Sequence, residues 1–230
     1  MIVPLDGNIL IKIGEYDHLK ELIDEGKLYM KPLSYFRQPL GKGVGDPEEG
    51  SFLLFKDIEV FQGDLYCGRA DMNIYRDHEI RYPVFCCFNL FVEKIGKHLF
   101  YGKIKREVLD NFFNQKKRPA LVAFPKDELI KKLQASEFGC KIEFGPIQYT
   151  DTFWRSRSCF QKGTNFSGQQ EFRVIFKEQT SSHKVITVGT LTPIPGILEF
   201  NGSDDFSGVG FLLNKTPGDS KTTVSIRIER

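Results

Sequence analysis

The sequence lacks most of the patterns that announce a function outright. No window approaches the roughly 18 to 20 consecutive apolar residues of a membrane-spanning helix. The first residues, MIVPLDGNILIKIGEYDHL, have neither the basic start nor the long apolar centre of a secretory signal. Cysteine is scarce and odd in number: Cys67, Cys86, Cys87, Cys140 and Cys159, with no CxxC pair. Adjacent residues of a strand point to opposite faces, so Cys86 and Cys87 are poorly placed to bond to each other. These thiols are expected to be reduced and mostly buried, in a cytoplasmic protein. The four histidines, His18, His78, His98 and His183, are scattered without the spacing of a zinc site. Charge of one sign is missing too. A net +2 over 230 residues is not the basic excess of an obligate nucleic-acid binder, although a local basic groove is compatible with it. No internal repeat or linker interrupts the chain.

Core material, by contrast, is plentiful. Aromatic residues make up 13 % of the chain, with 21 Phe, and hydrophobic residues 40 %. A chain of this length can bury a substantial core as a single domain over 1–230. NILIKI (8–13) is β-branched and reads as a strand. DHLKELIDEG (17–26) reads as a helix capped by Asp17, with Leu19, Leu22 and Ile23 on one face and Gly26 just past its end. KLYM (27–30) is extended, and LGKGVGDPEEG (40–50) is a Gly- and Pro-rich loop. SFLLFKDIEVF (51–61) suits a strand or a short helix, and RYPVFCCFNLF (81–91) a buried strand. Helices are expected over 104–118 and 126–136, around a short strand at 120–124. CKIEFGPIQYTD (140–151) is a strand with a Gly-Pro break, and 153–166 is irregular and basic. Strands then follow at 169–176, 183–191, 196–200, 208–213 and 222–229. Helices early and strands late argue for an α+β fold.

Chemistry concentrates in a few places. In SGQQEFRVIF (167–176), alternation sends Phe172, Val174 and Phe176 to one face and Gln169, Glu171 and Arg173 to the other. The plain account is a sheet with one wet face. The sharper one is a site: the carboxylate accepts from a ribose hydroxyl, and the amide donates to an oxygen of substrate or acceptor. A carboxylate aimed at an anomeric carbon also stabilises an oxocarbenium-like transition state. Such chemistry cleaves N-glycosidic bonds. In FWRSRS (153–158), Trp154 with Arg155 and Arg157 can stack a base and hold phosphate, or can form an ordinary surface loop. The basic runs Lys116-Lys117-Arg118 and Lys131-Lys132 read first as solvated helix ends. Asp46, Glu48 and Glu49 offer carboxylates for Mg²⁺, or a turn with solvated or locally paired charges. Cys86 and Cys87 lie in an apolar run, which raises a thiol's pKa and makes it inert.

Two resemblances bring these pieces together. The order strand, helix, Gly and Leu28-Tyr29 early, with a Gln169-x-Glu171 strand late, resembles the ADP-ribosyltransferase fold. LYM.PL.YFR, GDPEEG, VFCCF, Q.EFR and VGTL also resemble a bacterial family of mostly uncharacterised proteins, whose pattern runs LYFS, NDPFEG, VCCFS and EWR. This second resemblance covers nearly the whole chain. It departs at Gly45, Glu48 and Asn89, and it lacks the family's central MWSHYA helix.

The resemblance implies a split mixed or antiparallel sheet with flanking helices and an NAD-dependent ADP-ribosyltransferase. NAD would be its co-substrate and nucleic acid, RNA or DNA, its acceptor rather than protein. Glu171 would be catalytic, with Gln169 positioning the ribose or acceptor and Tyr29 stacking on nicotinamide. Lys12, Ser34, Tyr35 and Arg155 would contact NAD, and Trp154 and Arg157 the substrate. Similar stand-alone transferases act as toxins with an antitoxin partner, or in phage defence. The alternatives are a non-catalytic nucleotide- or nucleic-acid-binding module, and a metal-dependent nuclease using Asp46, Glu48 and Glu49.

Overall fold

The computed structural model describes residues 9–38, 45–113, 116–150, 158–200, 206–215 and 222–229. β1 (Ile9–Glu15) runs directly into α1 (Tyr16–Asp24). Leu19, Leu22 and Ile23 form the buried stripe of α1. The N-cap is Glu15, two residues before the Asp17 that the sequence predicts. Asp17 therefore sits in the first turn and pairs with Arg118 at 3.1 Å instead of capping. Gly26, at φ +70°, ends the helix, and a Cβ there would stand 2.1 Å from the Gly189 carbonyl oxygen. That contact demands glycine twice over, for the left-handed backbone and for the close approach.

β2 (Lys27–Pro32) leads into a 3₁₀ turn, Leu33–Arg37. β3 (Ser51–Gln62) and β4 (Leu65–Tyr75) form a long hairpin. The sequence left 51–61 open between strand and helix, and the structure makes it a strand. Next come β5 (Pro83–Asn89), β6 (Glu93–Lys94), β7 (Leu99–Lys105) and α2 (Arg106–Phe113). β8 (Pro119–Pro125) and α3 (Lys126–Ala135) follow. β9 (Ile142–Pro146), β10 (Gln148–Tyr149), β11 (Gln161–Lys162) and β12 (Glu171–Phe176) carry the chain back beside β5. β13 (Lys184–Thr187), β14 (Ile194–Glu199), β15 (Gly208–Lys215) and β16 (Thr222–Glu229) complete it.

The fold is thus α+β, with mostly antiparallel sheets and few helices. An eight-stranded sheet runs β13-β2-β5-β1-β8-β14, and β12 joins β5 from its other edge, followed by β9. β5 is the branch point. Along one edge its Val84–Phe88 pairs with Ile175–Glu171 of β12. Along the other edge it meets β2 only at Pro83 and Val84, and β1 only at Phe88 and Asn89. Between those contacts β1 and β2 part. Among the described residues, no strand covers Phe85, Cys86 and Cys87 on that edge.

Alternation sorts the core onto the two faces. Leu10, Phe85, Val122, Phe124, Phe172, Val174 and Phe176 pack under α1 and α3. Ile9, Ile11, Phe88, Leu121 and Ala123 pack against α2 and a second sheet, β16-β15-β7-β6, through Leu109, Val209, Phe211 and Leu213. Each of these Leu, Ile, Val and Phe side chains, when fully buried, stabilises the fold by about 1.5–3 kcal/mol in transfer terms. The two layers hold β5 and β12 rigidly from either side, and they leave the fork open. Among the described residues, no helix is long and apolar enough to cross a membrane.

Candidate functional site

A cleft of about 290 Å³ opens at the fork between β1 and β2. Its lining takes neighbours that alternate across the sheet, Ile11 with Lys12 on β1 and Cys86 with Cys87 on β5. Lys12, Tyr29, Tyr35, Gln169 and Glu171 all line it, drawn from positions 159 residues apart in sequence. Ser34 does not line it. It sits in the 3₁₀ turn, where one residue rotates a side chain by about 120° away from its neighbour Tyr35. Trp154, Arg155 and Arg157 fall outside the described residues.

The floor of the cleft is a buried charge cluster. Glu171 and Arg173 share a face of β12 as alternation requires, but that face is not wet: they are 7 % and 1 % exposed. Arg173 grips Glu171 through Nε and Nη2, at 2.6 and 3.2 Å. Its Nη1 and Nη2 grip Glu49 at 2.8 Å each, and Nη1 also donates to the Cys159 carbonyl at 2.6 Å. Lys162 closes the ring, 2.8 Å from Glu171 and 3.2 Å from Glu49. Two carboxylates and two cations therefore balance where water cannot screen them.

Burial opposes ionisation of Glu171 and Glu49, but the fields of Arg173 and Lys162 outweigh it, so both carboxyls titrate below the usual range. Burial likewise disfavours the Lys162 ammonium, and the two carboxylates overcome it and raise its pKa. The Tyr149 hydroxyl accepts the Glu171 backbone N–H at 2.8 Å, which fixes the first residue of β12. Burial pushes that phenol up to about 12.

Gln169 arrives differently from its sequence expectation. It is not on the strand but ends a 3₁₀ helix, Thr164–Gln169. Gln170 then turns the chain at φ +41° before β12 begins. The amide still reaches the cluster: its Oε1 accepts from Lys162 at 2.8 Å.

Lys12 shares a face with Leu10, and its ammonium stands 4.6 Å from the Phe85 ring centroid. It donates to the Cys86 carbonyl at 2.6 Å, satisfying an acceptor that the fork leaves without a strand partner. Tyr29 stacks on His18 at 4.6 Å, and its hydroxyl donates to the Glu21 carboxylate. That hydrogen bond raises the Tyr29 pKa and lowers that of Glu21. One face of the Tyr29 ring is thus already occupied. The Lys31 ammonium lies 5.1 Å from the Tyr35 ring centroid.

Lys12, Lys31, Lys116 and Lys162 line the cleft with Glu171 as the one lining carboxylate among the described residues. The wall is cationic and suits an anionic ligand.

The sequence did not single out Glu49 as a partner of the strand, nor Lys162 at all. The acidic loop neither stays in solvent nor converges on one point. Glu49 turns inward to Arg173, and Glu48 pairs with Lys56. Asp46 accepts the Glu48 backbone N–H at 2.9 Å. Among the described residues, no group of three or more His, Cys, Asp or Glu side chains is arranged to hold a metal. One signal calls for a distant carboxylate, without saying which. Arg173 stands between Phe172 and Val174 in a buried strand, and a buried guanidinium requires carboxylate partners from elsewhere in the chain.

The five cysteines are free. Burial, reinforced by the Glu171 charge, raises the Cys86 thiol well above its ordinary value. Burial pushes Cys87 to about 12 and Cys159 to about 11, so none of these three is a nucleophile at neutral pH. No family model, curated protein or solved structure matches the chain.

Proposed function

We propose that the cleft binds NAD and that the protein is an ADP-ribosyltransferase acting on nucleic acid. One observation carries this reading: a split in the sheet gathers Lys12, Tyr29, Tyr35, Gln169 and the anionic Glu171 around a single cationic cleft. A volume of about 290 Å³ is at the low end for small-molecule sites. It suits the nicotinamide–ribose half of NAD, with the adenylate on the open rim. Tyr29, backed by His18, offers an apolar wall to the nicotinamide ring. Lys12 and Lys31 offer their charge to the pyrophosphate.

Glu171 is ionised at neutral pH and held rigidly. It is suited to accept from a ribose hydroxyl and to stabilise positive charge developing at C1′. The C1′–N bond breaks with its electron pair leaving on neutral nicotinamide. An acceptor base then donates a lone pair to C1′, and its proton passes to solvent. Gln169, held by Lys162, is placed to orient the ribose or the acceptor.

A second reading has its own support. Arg173 and Lys162 already engage both oxygens of Glu171, which blunts its field at the cleft. A non-catalytic nucleotide-binding module would need such a carboxylate only for structure.

Labelled NAD incubated with total RNA, single-stranded DNA and lysate separates the two readings, with Glu171→Gln as control. Label on nucleic acid, lost in a variant that still folds and binds NAD, supports the transferase. NAD binding by calorimetry with no label and no free nicotinamide supports the binding module. Absence of NAD binding overturns both readings as stated for NAD.

A further inference from the structure

The β3–β4 hairpin lies outside the cleft, and it is the least explained part of the fold. It pairs with no other strand among the described residues. Two-stranded ribbons are marginal in water unless something packs on them. The two faces of this one differ sharply. On one face, Arg69 pairs with Asp57 and Glu59 at 2.6 and 3.2 Å, and Lys56 pairs with Asp71 at 3.1 Å. On the other, the cross-strand pairs are Leu53 with Ile74, Phe55 with Met72, Ile58 with Ala70 and Val60 with Gly68. Phe61 and Tyr66 extend this apolar strip to the tip, their rings 5.5 Å apart.

Eleven large apolar side chains stand exposed among the described residues, and seven belong to this hairpin: Phe55, Val60, Phe61, Leu65, Tyr66, Met72 and Ile74. They are 37–67 % exposed; Leu65 alternates with Tyr66 to the opposite face, and the other six present an area on the order of the ~600 Å² per partner at the lower end of specific interfaces. An apolar face of that size on a soluble protein marks an interaction surface.

The charges narrow the occupant. The hairpin carries two cations, Lys56 and Arg69, and four anions, Asp57, Glu59, Asp64 and Asp71. That balance repels a polyanion. Lys56 and Arg69 are also already paired within the arm and at its root, so neither stands ready to select a partner of opposite charge. What remains is an apolar strip, bent by three register shifts, whose chemistry matches that of a second copy of itself. A whole-chain charge of only +2 opposes self-association weakly.

We propose that the protein forms a two-fold homodimer in which the apolar faces of two β3–β4 hairpins pack on each other. Each ribbon becomes one layer of a small sandwich, about 10 Å from its mate, with the ionic rungs outside. This inference is independent of what the cleft binds.

Sedimentation or light scattering over 1–100 µM tests it on the full chain (concentrations on the order of ordinary interface affinities). Wild type is expected at twice the 26.4 kDa chain mass. Val60→Glu with Met72→Glu places like charges across the apolar contact and is expected to weaken dimerisation by roughly 100-fold or more. Both side chains are exposed in the single chain, so its fold, checked by circular dichroism, is retained. Arg69→Ala, on the ionic face, is expected to leave the dimer intact. A wild-type monomer throughout the range, with the strip bare or covered by some other partner, overturns the proposal. So does a dimer that the double variant leaves unchanged.

Discussion

Replacing Glu49 by Gln removes one of two anions from the buried cluster while keeping its shape. Arg173 loses the charge that both of its Nη atoms contact at 2.8 Å, and Lys162 loses a partner at 3.2 Å. Breaking a buried ion pair from one side costs about 3–5 kcal/mol, because the remaining charge has no water to turn to. That is a large part of a total stability of roughly 5–15 kcal/mol. With a urea slope of roughly 2–3 kcal/mol/M, the unfolding midpoint should fall by about 1–2.5 M.

The pH dependence supplies an independent check. The folded pKa values of Glu49 and Glu171 lie below their ordinary value near 4.5, so their stabilisation is present above that pH and lost as pH falls below it. Glu49→Gln should therefore flatten the acid limb of the stability curve as well as lower it. Replacing Glu49, Glu171, Lys162 and Arg173 together by apolar residues of similar volume should recover most of the stability. Glu49→Gln within about 1 kcal/mol of wild type, with an unchanged acid limb, would falsify the buried-cluster account, since an exposed pair contributes that little.

Two further tests address the scaffold and its thiols. Gly26→Ala should cost upwards of about 3 kcal/mol in thermal or urea melts, because it combines a left-handed φ with a backbone clash. Gly63→Ala, also at positive φ but with nothing within 4 Å, should cost only about 1 kcal/mol; equal losses would contradict the role given to the Gly189 contact. Among the cysteines, exposed Cys67 should react with a thiol reagent at pH 8 within minutes, whereas Cys87 and Cys159 should wait for unfolding. Rapid modification of all five in the native state would argue against these burial assignments.

The sequence makes some of this architecture readable and hides the rest for identifiable reasons. The α1 stripe of Leu19, Leu22 and Ile23 and the aromatic row of β12 are periodic, and periodicity survives into structure because each element buries one face. The hairpin partner β4 does alternate, with Tyr66, Ala70, Met72 and Ile74 against Arg69, Asp71 and Asn73, but Gly68 and Ala70 thin its apolar row and both faces are largely exposed, so the pattern is weak. Gln169 looked like a strand residue because a two-residue spacing from Glu171 fits a strand. The left-handed turn at Gln170 is a tertiary choice that no local pattern reveals. Glu49 and Lys162 were obscured by company: one sat among acidic loop residues, the other in a basic stretch, and such runs are usually solvated. The buried Arg173 requires Glu49, and the two buried carboxylates in turn hold Lys162, but a linear sequence does not show which distant residue answers such a demand.

The fork in the sheet also bears on how this cleft must be interrogated. Residues of β5 alternate the edge to which their peptide groups point. Asn89 donates toward the β12 side, to Gln170 at 2.7 Å. Cys86, three residues back, therefore turns both its N–H and its C=O toward the gap, where Lys12 already meets the carbonyl. Among the described residues no strand pairs with the Cys86 amide, a donor in the centre of the sheet at the lining of the cleft. Main-chain recognition of this kind is independent of side-chain identity. Alanine scanning would be blind to it, and so would any comparison of homologous side chains. Hydrogen exchange at the Cys86 amide, with and without an occupant, would reveal it directly.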